Sequence, residues 1–167
     1  MLNILKFVKN AGQLEQQLVL QPGERLEGLI SEPVDCALQM HGTQDAAGKP
    51  FLVGHVQAKL VTDCQVCMEK IKVNFDFNFE LYPVNSKKAE DLNDDQEPLI
   101  TEDGDVDIKD LVINELILAL PSVLTHEVLT EEDCSKHQIM RAGEVVEQKK
   151  RSPFEVLKQL KSDDFNS

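Results

Sequence analysis

Aromatic side chains are scarce in this sequence: its 167 residues include seven phenylalanines, one tyrosine and no tryptophan. Any hydrophobic core must therefore be mostly aliphatic. Apolar residues still make up 41% of the chain. This share excludes a globally disordered protein, and the length is typical of one folded domain with short appendages.

Long hydrophobic runs are also missing. No stretch approaches the roughly 20 apolar residues that a membrane-spanning helix requires. Near the start, Lys6 and Lys9 interrupt the apolar residues that could otherwise form the core of a signal peptide. Four cysteines are too few to staple a secreted domain of this size with disulfides. These absences predict a cytoplasmic protein with no membrane segment.

Basic residues are few, since 17 Lys and Arg face 30 Asp and Glu, for a net charge of −13. Nucleic acids are bound largely through cations that displace counterions from the phosphates. A chain this acidic would need a local basic patch to touch RNA. The charge indicates a protein partner or, as the alternative, no more than high solubility.

Alternation of apolar and polar side chains is the clearest structural signal that is present. It runs through residues 34–41, 56–60 and 71–81 with the period of two expected for a half-buried strand. Such one-sided alternation favours an antiparallel sheet. The sequence therefore predicts an α+β fold, built on a mainly antiparallel β-sheet with a packed central helix and a C-terminal amphipathic helix.

The central helix is predicted to begin at Ile108, after Asp107 as its N-cap, and to stop before Pro121. Its residues are apolar on most sides, so it is expected to pack against the sheet. Glu115 interrupts that apolar surface. It is expected to lie at the edge of the stripe in water, with a buried functional carboxylate as the alternative.

Charge divides the chain into two predicted parts. A domain over residues 1–137 contains an acidic loop at 86–107, in which half of the eighteen residues from Glu90 to Asp107 are acidic and none is basic. A like-charge run of this density predicts a mobile loop, with a site for a cation or a basic partner as the alternative. The register of a calcium-binding loop is absent.

Residues 138–167 are predicted to form a polar linker and an amphipathic helix. Ser152, Pro153 and Glu155 make a capping box with proline in its tolerated place. This helix either folds back on the domain or docks elsewhere as a ligand in a groove. The candidate partner-binding residues here are Lys149, Lys150, Arg151, Phe154, Leu157 and Leu160.

Cys64 and Cys67 are the strongest site candidates, because a C-x-x-C at the tip of a predicted hairpin can supply two corners of a zinc tetrahedron. Cys134 and His137 form a C-x-x-H pair that could supply the others, and His126 is an alternative ligand. The cofactor that this pattern suggests is a structural zinc. Redox-active thiols and ordinary reduced cysteines are the alternatives.

Catalytic signatures are lacking: there is no nucleophile elbow, phosphate-binding glycine loop, HExxH or dinucleotide fingerprint. Cys36 lies on the apolar face of its strand and is expected in the core. His41 and His55 have no acid or nucleophile visible beside them. No catalytic residue or small-molecule substrate is predicted, and the chain is expected to bind macromolecules and not to be an enzyme.

Three motifs, in order, resemble those of the YceD family of bacterial large ribosomal RNA subunit accumulation proteins. They are the knuckle from Cys64 to Glu69, the helix end from Asn114 to Pro121 followed by His126 and Cys134, and the segment from Ser152 to Leu160. The sequence departs from the family at Val66, where relatives usually have arginine, and in having fewer cysteines after the helix.

The resemblance implies a ribosome biogenesis factor that supports 23S rRNA accumulation or processing and large-subunit assembly. The implied partners are ribosomal proteins or rRNA-processing factors of the large subunit, with at most an auxiliary RNA contact through the C-terminal cations. The alternative functions are a small zinc- or thiol-dependent enzyme, or a protein interaction module unrelated to ribosomes.

Overall fold

The computed structural model describes residues 1–23 and 25–134, apart from the side chains of Lys88 and Asp91. The chain order of its elements is β1 (Leu2–Asn3), α1 (Ile4–Lys9), β2 (Gln13–Leu20), β3 (Val34–Gln44), β4 (Pro50–Asp63), β5 (Lys70–Val84), a 3₁₀ helix (Ser86–Asp91), β6 (Pro98–Ile100), β7 (Asp105–Val106), α2 (Ile108–Ala119) and α3 (His126–Thr130).

Five of the strands form one sheet, in the spatial order β2-β3-β4-β5-β6. The first four strands are antiparallel neighbours joined in sequence, whereas the short β6 pairs in parallel with β5. The remaining strands, β1 and β7, form a separate antiparallel pair. The prediction of an α+β protein with a mainly antiparallel sheet is confirmed.

The predicted alternation in β3 matches the burial of its side chains. Val34, Cys36 and Leu38 are at most 1% exposed, whereas Asp35 between the first two and Gln39 after Leu38 face water. Successive side chains of a strand point to opposite faces, so one face of the sheet meets the core and the other meets solvent. The core is mostly aliphatic, as the scarcity of aromatic residues requires.

The hairpin of β4 and β5 is the longest ladder in the sheet. Its register runs from Leu52 opposite Leu81 to Asp63 opposite Lys70, which leaves residues 64–69 as the tip. Within the ladder Gly54 lies opposite Phe79. The hairpin therefore carries the C-x-x-C motif to one end of the sheet, as far as possible from the turn between β3 and β4.

Helix α2 begins at Ile108, after Asp107, whose side chain accepts hydrogen bonds from the backbone amides of Lys109 and Asp110. Such a cap satisfies amides that have no partner within the helix. The helix ends at Ala119, shortly before Pro121. Its buried apolar residues belong to the same core as the sheet, and these are Ile108, Leu111, Val112, Ile113 and Leu116.

The acidic segment 86–107, predicted as a loop, contains short regular elements: the 3₁₀ helix, β6 and β7. The Thr101 amide donates to the Val84 carbonyl at 2.9 Å, and the Gly104 amide donates to the Thr101 hydroxyl at 3.0 Å. Gly104 has a φ of +80°, which glycine adopts without strain. Its carbonyl accepts from the Ile4 amide, so backbone hydrogen bonds hold this segment despite its charge.

The described helices are short, and the C-terminal segment 138–167 is not part of the described structure. Among the described residues, none of the helices combines the length and the apolar character needed to cross a membrane. The predicted linker and amphipathic helix at 138–167 lie outside the described residues, together with every candidate partner-binding residue named there.

Candidate metal centre

The tip of the β4–β5 hairpin folds into a tight knuckle around Cys64. The Cys64 amide donates to the Glu69 carbonyl at 2.8 Å, and the Met68 amide donates to the Cys64 carbonyl at 2.9 Å. Met68 takes a left-handed conformation with a φ of +64°. The Val66 amide points at the Cys64 Sγ, 3.4 Å away. The turn thus brings both cysteine side chains to one side.

The opposite side of the site is the short helix α3. Thr125 is its N-cap, with a hydroxyl that accepts from the Val128 amide at 3.3 Å, and His126 is its first residue. The Gln65 amide donates to the Leu124 carbonyl at 2.8 Å, which ties the knuckle to the start of this helix. His126 is buried, only 5% exposed, and faces the two cysteines of the knuckle.

Cys134 completes a cluster of three thiols and one imidazole. Its Sγ lies 3.5 Å from the Cys64 Sγ and 3.7 Å from the His126 Nδ1, and the Cys67 Sγ lies 3.4 Å from the same nitrogen. All four candidate ligand atoms lie within 4.8 Å of one another. Residues separated by 70 positions in the chain are therefore brought into one site.

These separations can be compared with an ideal zinc tetrahedron. With Zn–S bonds of about 2.3 Å and a Zn–N bond of about 2.0 Å, two sulfurs lie roughly 3.8 Å apart and a sulfur and a nitrogen roughly 3.6 Å apart. The observed distances of 3.4, 3.5 and 3.7 Å fall close to these values. A disulfide requires about 2.05 Å between sulfurs, so all four cysteines are free thiols.

The thiols of the cluster differ in acidity. Burial acts to raise the pKa of Cys64, but hydrogen bonds from the backbone amides of Cys67, Val66 and His126 outweigh it and lower the pKa to about 5. Burial, together with the neighbouring Cys64, raises the pKa of Cys134. A thiolate is the form that binds a metal, and the lowered pKa of Cys64 favours that form.

The sequence named five candidate ligands, and the structure brings four of them together. Cys64, Cys67 and Cys134 meet as expected, and the histidine beside them is His126, which the spacing offered only as the alternative. His137 lies outside the described residues. The donor set of three thiols and one imidazole fits zinc, since soft thiolates and imidazole are its preferred ligands.

Cys36 stands apart from this cluster. It is fully buried on the core face of β3, where desolvation raises the pKa of its thiol to about 11. A thiol in that environment is protonated at neutral pH and unreactive. Its placement in the core is as the sequence predicts.

Contrary to the prediction from the sequence, Glu115 does not lie in water at the edge of the helix stripe. It is buried, with only 7% of its surface exposed. The signal that could have found it is helical spacing: position 115 follows the buried Leu111 by four and Val112 by three, on the same face. Helical position thus outweighs the polarity of the glutamate side chain at this site.

No acid is visible beside His55 in the sequence, but the structure brings one to it. Its Nε2 lies 2.6 Å from an Asp76 carboxylate oxygen on the neighbouring strand β5, and Gln57 donates to the other oxygen at 2.9 Å. The Gln57 hydrogen bond, followed by His55, lowers the pKa of Asp76. The three side chains project from the solvent face of the sheet, where the β4–β5 register places Asp76 opposite Gln57.

Comparisons with known proteins agree with the resemblance seen in the motifs. The family described as large ribosomal RNA subunit accumulation protein YceD matches residues 52–161. A protein of that name from Haemophilus influenzae is 33% identical over 141 residues, which cover 83% of this chain and 81% of the relative. No solved structure gives a significant match. The matched region contains the cysteine knuckle, α2, α3 and Cys134, and the chain belongs to the YceD family.

Proposed function

We propose that this protein is a ribosome biogenesis factor that supports accumulation or processing of 23S rRNA during assembly of the large subunit. The observation that carries the proposal is membership of the YceD family, with a relative that bears the name large ribosomal RNA subunit accumulation protein and aligns with most of both chains. The contacts that achieve this are proposed to be mainly with proteins.

The distribution of charge supports protein contacts. Residues 1–134 contain 25 acidic and 10 basic side chains, whereas residues 135–167 contain five acidic and seven basic ones. The domain therefore repels phosphates and attracts basic proteins at long range. Any RNA contact belongs to the C-terminal segment, where Lys149, Lys150 and Arg151 stand in a row.

The cysteine cluster is proposed to hold one structural zinc through Cys64, Cys67, His126 and Cys134. Four protein ligands fill a tetrahedral site and leave no position for a water or a substrate, as is usual for structural zinc and unusual for catalytic zinc. When bound, the ion would cross-link the hairpin tip to the chain that follows α2. The donor set therefore favours a structural clip over a zinc- or thiol-dependent enzyme.

The function is tested by purification of the tagged full-length protein from growing cells. Proteins of the large subunit or its precursor particles should co-purify well above an untagged control. A chain that ends at Gln148 should recover them at least threefold less well, because it lacks the basic and amphipathic segment from Lys149 onward.

A charge-matched control separates the basic run from a general change in charge. Substituting Lys149, Lys150 and Arg151 with glutamine should lower recovery, whereas substituting the exposed Lys6, Lys9 and Lys87 with glutamine should leave it unchanged. If ribosomal proteins and precursor particles never exceed background with the full-length protein, the proposed function is wrong.

A further inference from the structure

A groove lies between the second half of α2 and the strand β6, with a volume of about 440 Å³. We call it the Glu115 groove. Its lining includes Glu115 and Leu118 from the helix, Glu97 and Leu99 from the segment around β6, and Leu81 from β5. A second cavity of about 370 Å³ adjoins it and shares Glu97, Glu115 and Leu118. Glu115 thus lines both cavities.

Glu115 has no polar partner in this groove. The residue is only 7% exposed, and within the described part of the chain no hydrogen bond or ion pair reaches its carboxylate. Arg25 and Asn114 also line the groove, and the Arg25 Nη1 donates to the Asn114 Oδ1 at 2.6 Å. Among the described residues, Thr62 Oγ1 is the fully enclosed side-chain oxygen without a partner, so the Glu115 oxygens keep some contact with solvent through the groove. A carboxylate that is largely withdrawn from water and has no partner is still costly.

Glu97 increases that cost. Burial first, and then the negative charge of Glu97, raise the pKa of Glu115 to about 7. The two acidic side chains of this groove therefore repel each other when both are ionised. A cation placed between them would remove the repulsion and supply the missing hydrogen-bond donors.

The walls of the groove are apolar, which narrows the choice of cation. Leu81 is buried and Leu99 is partly buried, while Leu118 and Ile100 at the rim are 68% and 56% exposed. A hydrated magnesium ion keeps several waters and prefers an oxygen-lined site. Lysine and arginine instead combine a cationic head with an aliphatic stem that packs on apolar surface.

We propose that the Glu115 groove binds a lysine or arginine side chain presented by a basic partner protein. The head group is held by Glu115 and Glu97. The aliphatic stem packs against Leu99 and Leu118, and an apolar neighbour in the partner covers Ile100. This inference deepens the proposed function. It rests on the proposed function in one respect, the identification of the partner as a basic protein.

The test uses the pure full-length protein, so its failure is distinct from failure to associate with ribosomal particles. The probe is n-butylguanidinium, titrated at pH 8 into isotope-labelled protein while backbone amide shifts are recorded. Saturable shifts are expected at residues 97–100 and 114–118. The neutral analogue n-butanol should bind at least fivefold more weakly, because it lacks the charge that the carboxylates require.

Variants connect the binding to the groove. E115Q keeps the shape of the side chain and should weaken n-butylguanidinium binding at least fivefold, and L118S should weaken it at least twofold without disturbing the core, because Leu118 is exposed. E15Q makes the same charge change at an exposed position of β2 and should bind within twofold of the wild type.

Three results would overturn the proposal. Equal binding by the wild type and E115Q would show that the buried carboxylate has no part in it. Equal binding of n-butanol would show an apolar pocket with no preference for a cation. Saturable shifts at the same amides with magnesium chloride alone, lost in E115Q, would assign the groove to a metal ion.

Discussion

At the scale of single residues, Glu115 shows how a helical position can override the polarity of its side chain. The backbone of α2 places position 115 on the face that carries Leu111 and Val112, and that face is buried in the core. A carboxylate there is desolvated, so its protonated form is favoured. The groove beside it is where this unfavourable charge can be compensated.

The raised pKa of Glu115 makes the stability of the protein depend on pH in a defined direction. Its ordinary pKa of 4.5 applies to the unfolded chain, and its folded pKa is about 7. Between these values the folded state holds more protons, so the free energy of unfolding falls as pH rises from about 4.5 to about 7. The loss is complete by about pH 8, where the folded state is also ionised, and it amounts to about 3 kcal/mol.

E115Q should remove this dependence. Urea unfolding at pH 5 and pH 8 should show that E115Q gains about 2 kcal/mol relative to the wild type between the two pH values. The charged groups that also line the two cavities, Arg25, Glu80, Asp95 and Glu97, are common to both proteins. A constant difference between the proteins at the two pH values would refute a buried, proton-holding Glu115.

At the scale of elements, the β4–β5 hairpin depends on a close fit between Gly54 and Phe79. The two residues are cross-strand partners, and a Cβ built on Gly54 would lie only 2.0 Å from the Phe79 Cζ. The aromatic ring therefore covers the bare backbone of glycine, a pairing known to support strands that contain glycine. Phe79 is one of the few aromatic side chains in the core.

G54A should accordingly destabilise the protein by about 1–3 kcal/mol, because the buried ring has to move to admit a methyl group. In an F79L background the same substitution should cost less than about 1 kcal/mol, since the smaller side chain leaves space. The measurement is a double-mutant cycle by urea unfolding.

G23A serves as the matched control for that cycle. Nothing lies within 4 Å of a Cβ at Gly23, and its φ is outside the left-handed region. Its effect should stay within about 0.5 kcal/mol of the wild type. If G54A costs as little as G23A, the Phe79 ring does not occupy the space above Gly54 in solution.

At the scale of the whole molecule, the cysteine cluster joins parts of the chain that are distant in sequence. Cys64 and Cys67 belong to the tip of the hairpin, while His126 and Cys134 follow α2. A metal ion at this position would close a loop that contains β5, the acidic segment and α2. Closing a long loop restricts the unfolded chain, so metal binding would stabilise the folded state.

The purified protein should therefore contain one zinc per chain by elemental analysis. C64S and C67S should each lower zinc content at least fivefold, because each removes one of the four ligands. C36A removes a thiol from the core and should retain full zinc content, which separates a specific site from general thiol affinity.

Removal of the metal with a chelator should lower the Tm of the wild type by about 5–10 °C. The same treatment should leave the Tm of C64S unchanged. A wild-type protein purified without zinc, with the same Tm in the presence and absence of chelator, would show that the four side chains meet without holding a metal.

Local patterns are enough to predict the three central strands, β3, β4 and β5, and the knuckle, but not the short strands β6 and β7 in the segment predicted as a loop. The period of two in residues 34–41 and 71–81 reports directly which side chains face the core, because strand geometry leaves each residue only two sides. The two cysteines of the C-x-x-C motif are also a local feature, since one turn of four residues, Cys64 to Cys67, positions both. The class of fold and half of the candidate site followed from these patterns.

Tertiary structure decided what depends on contacts between distant segments. The spacing of residues 126, 134 and 137 was compatible with either histidine as a ligand, and only the packing of α3 against the knuckle brings His126 to the thiols. Contacts between distant segments also cause the burial of Glu115 and place it in one groove with Glu97. The same holds for the fit of Phe79 over Gly54. Each of these features depends on how helices and strands pack against one another. No local pattern in the sequence reports that packing.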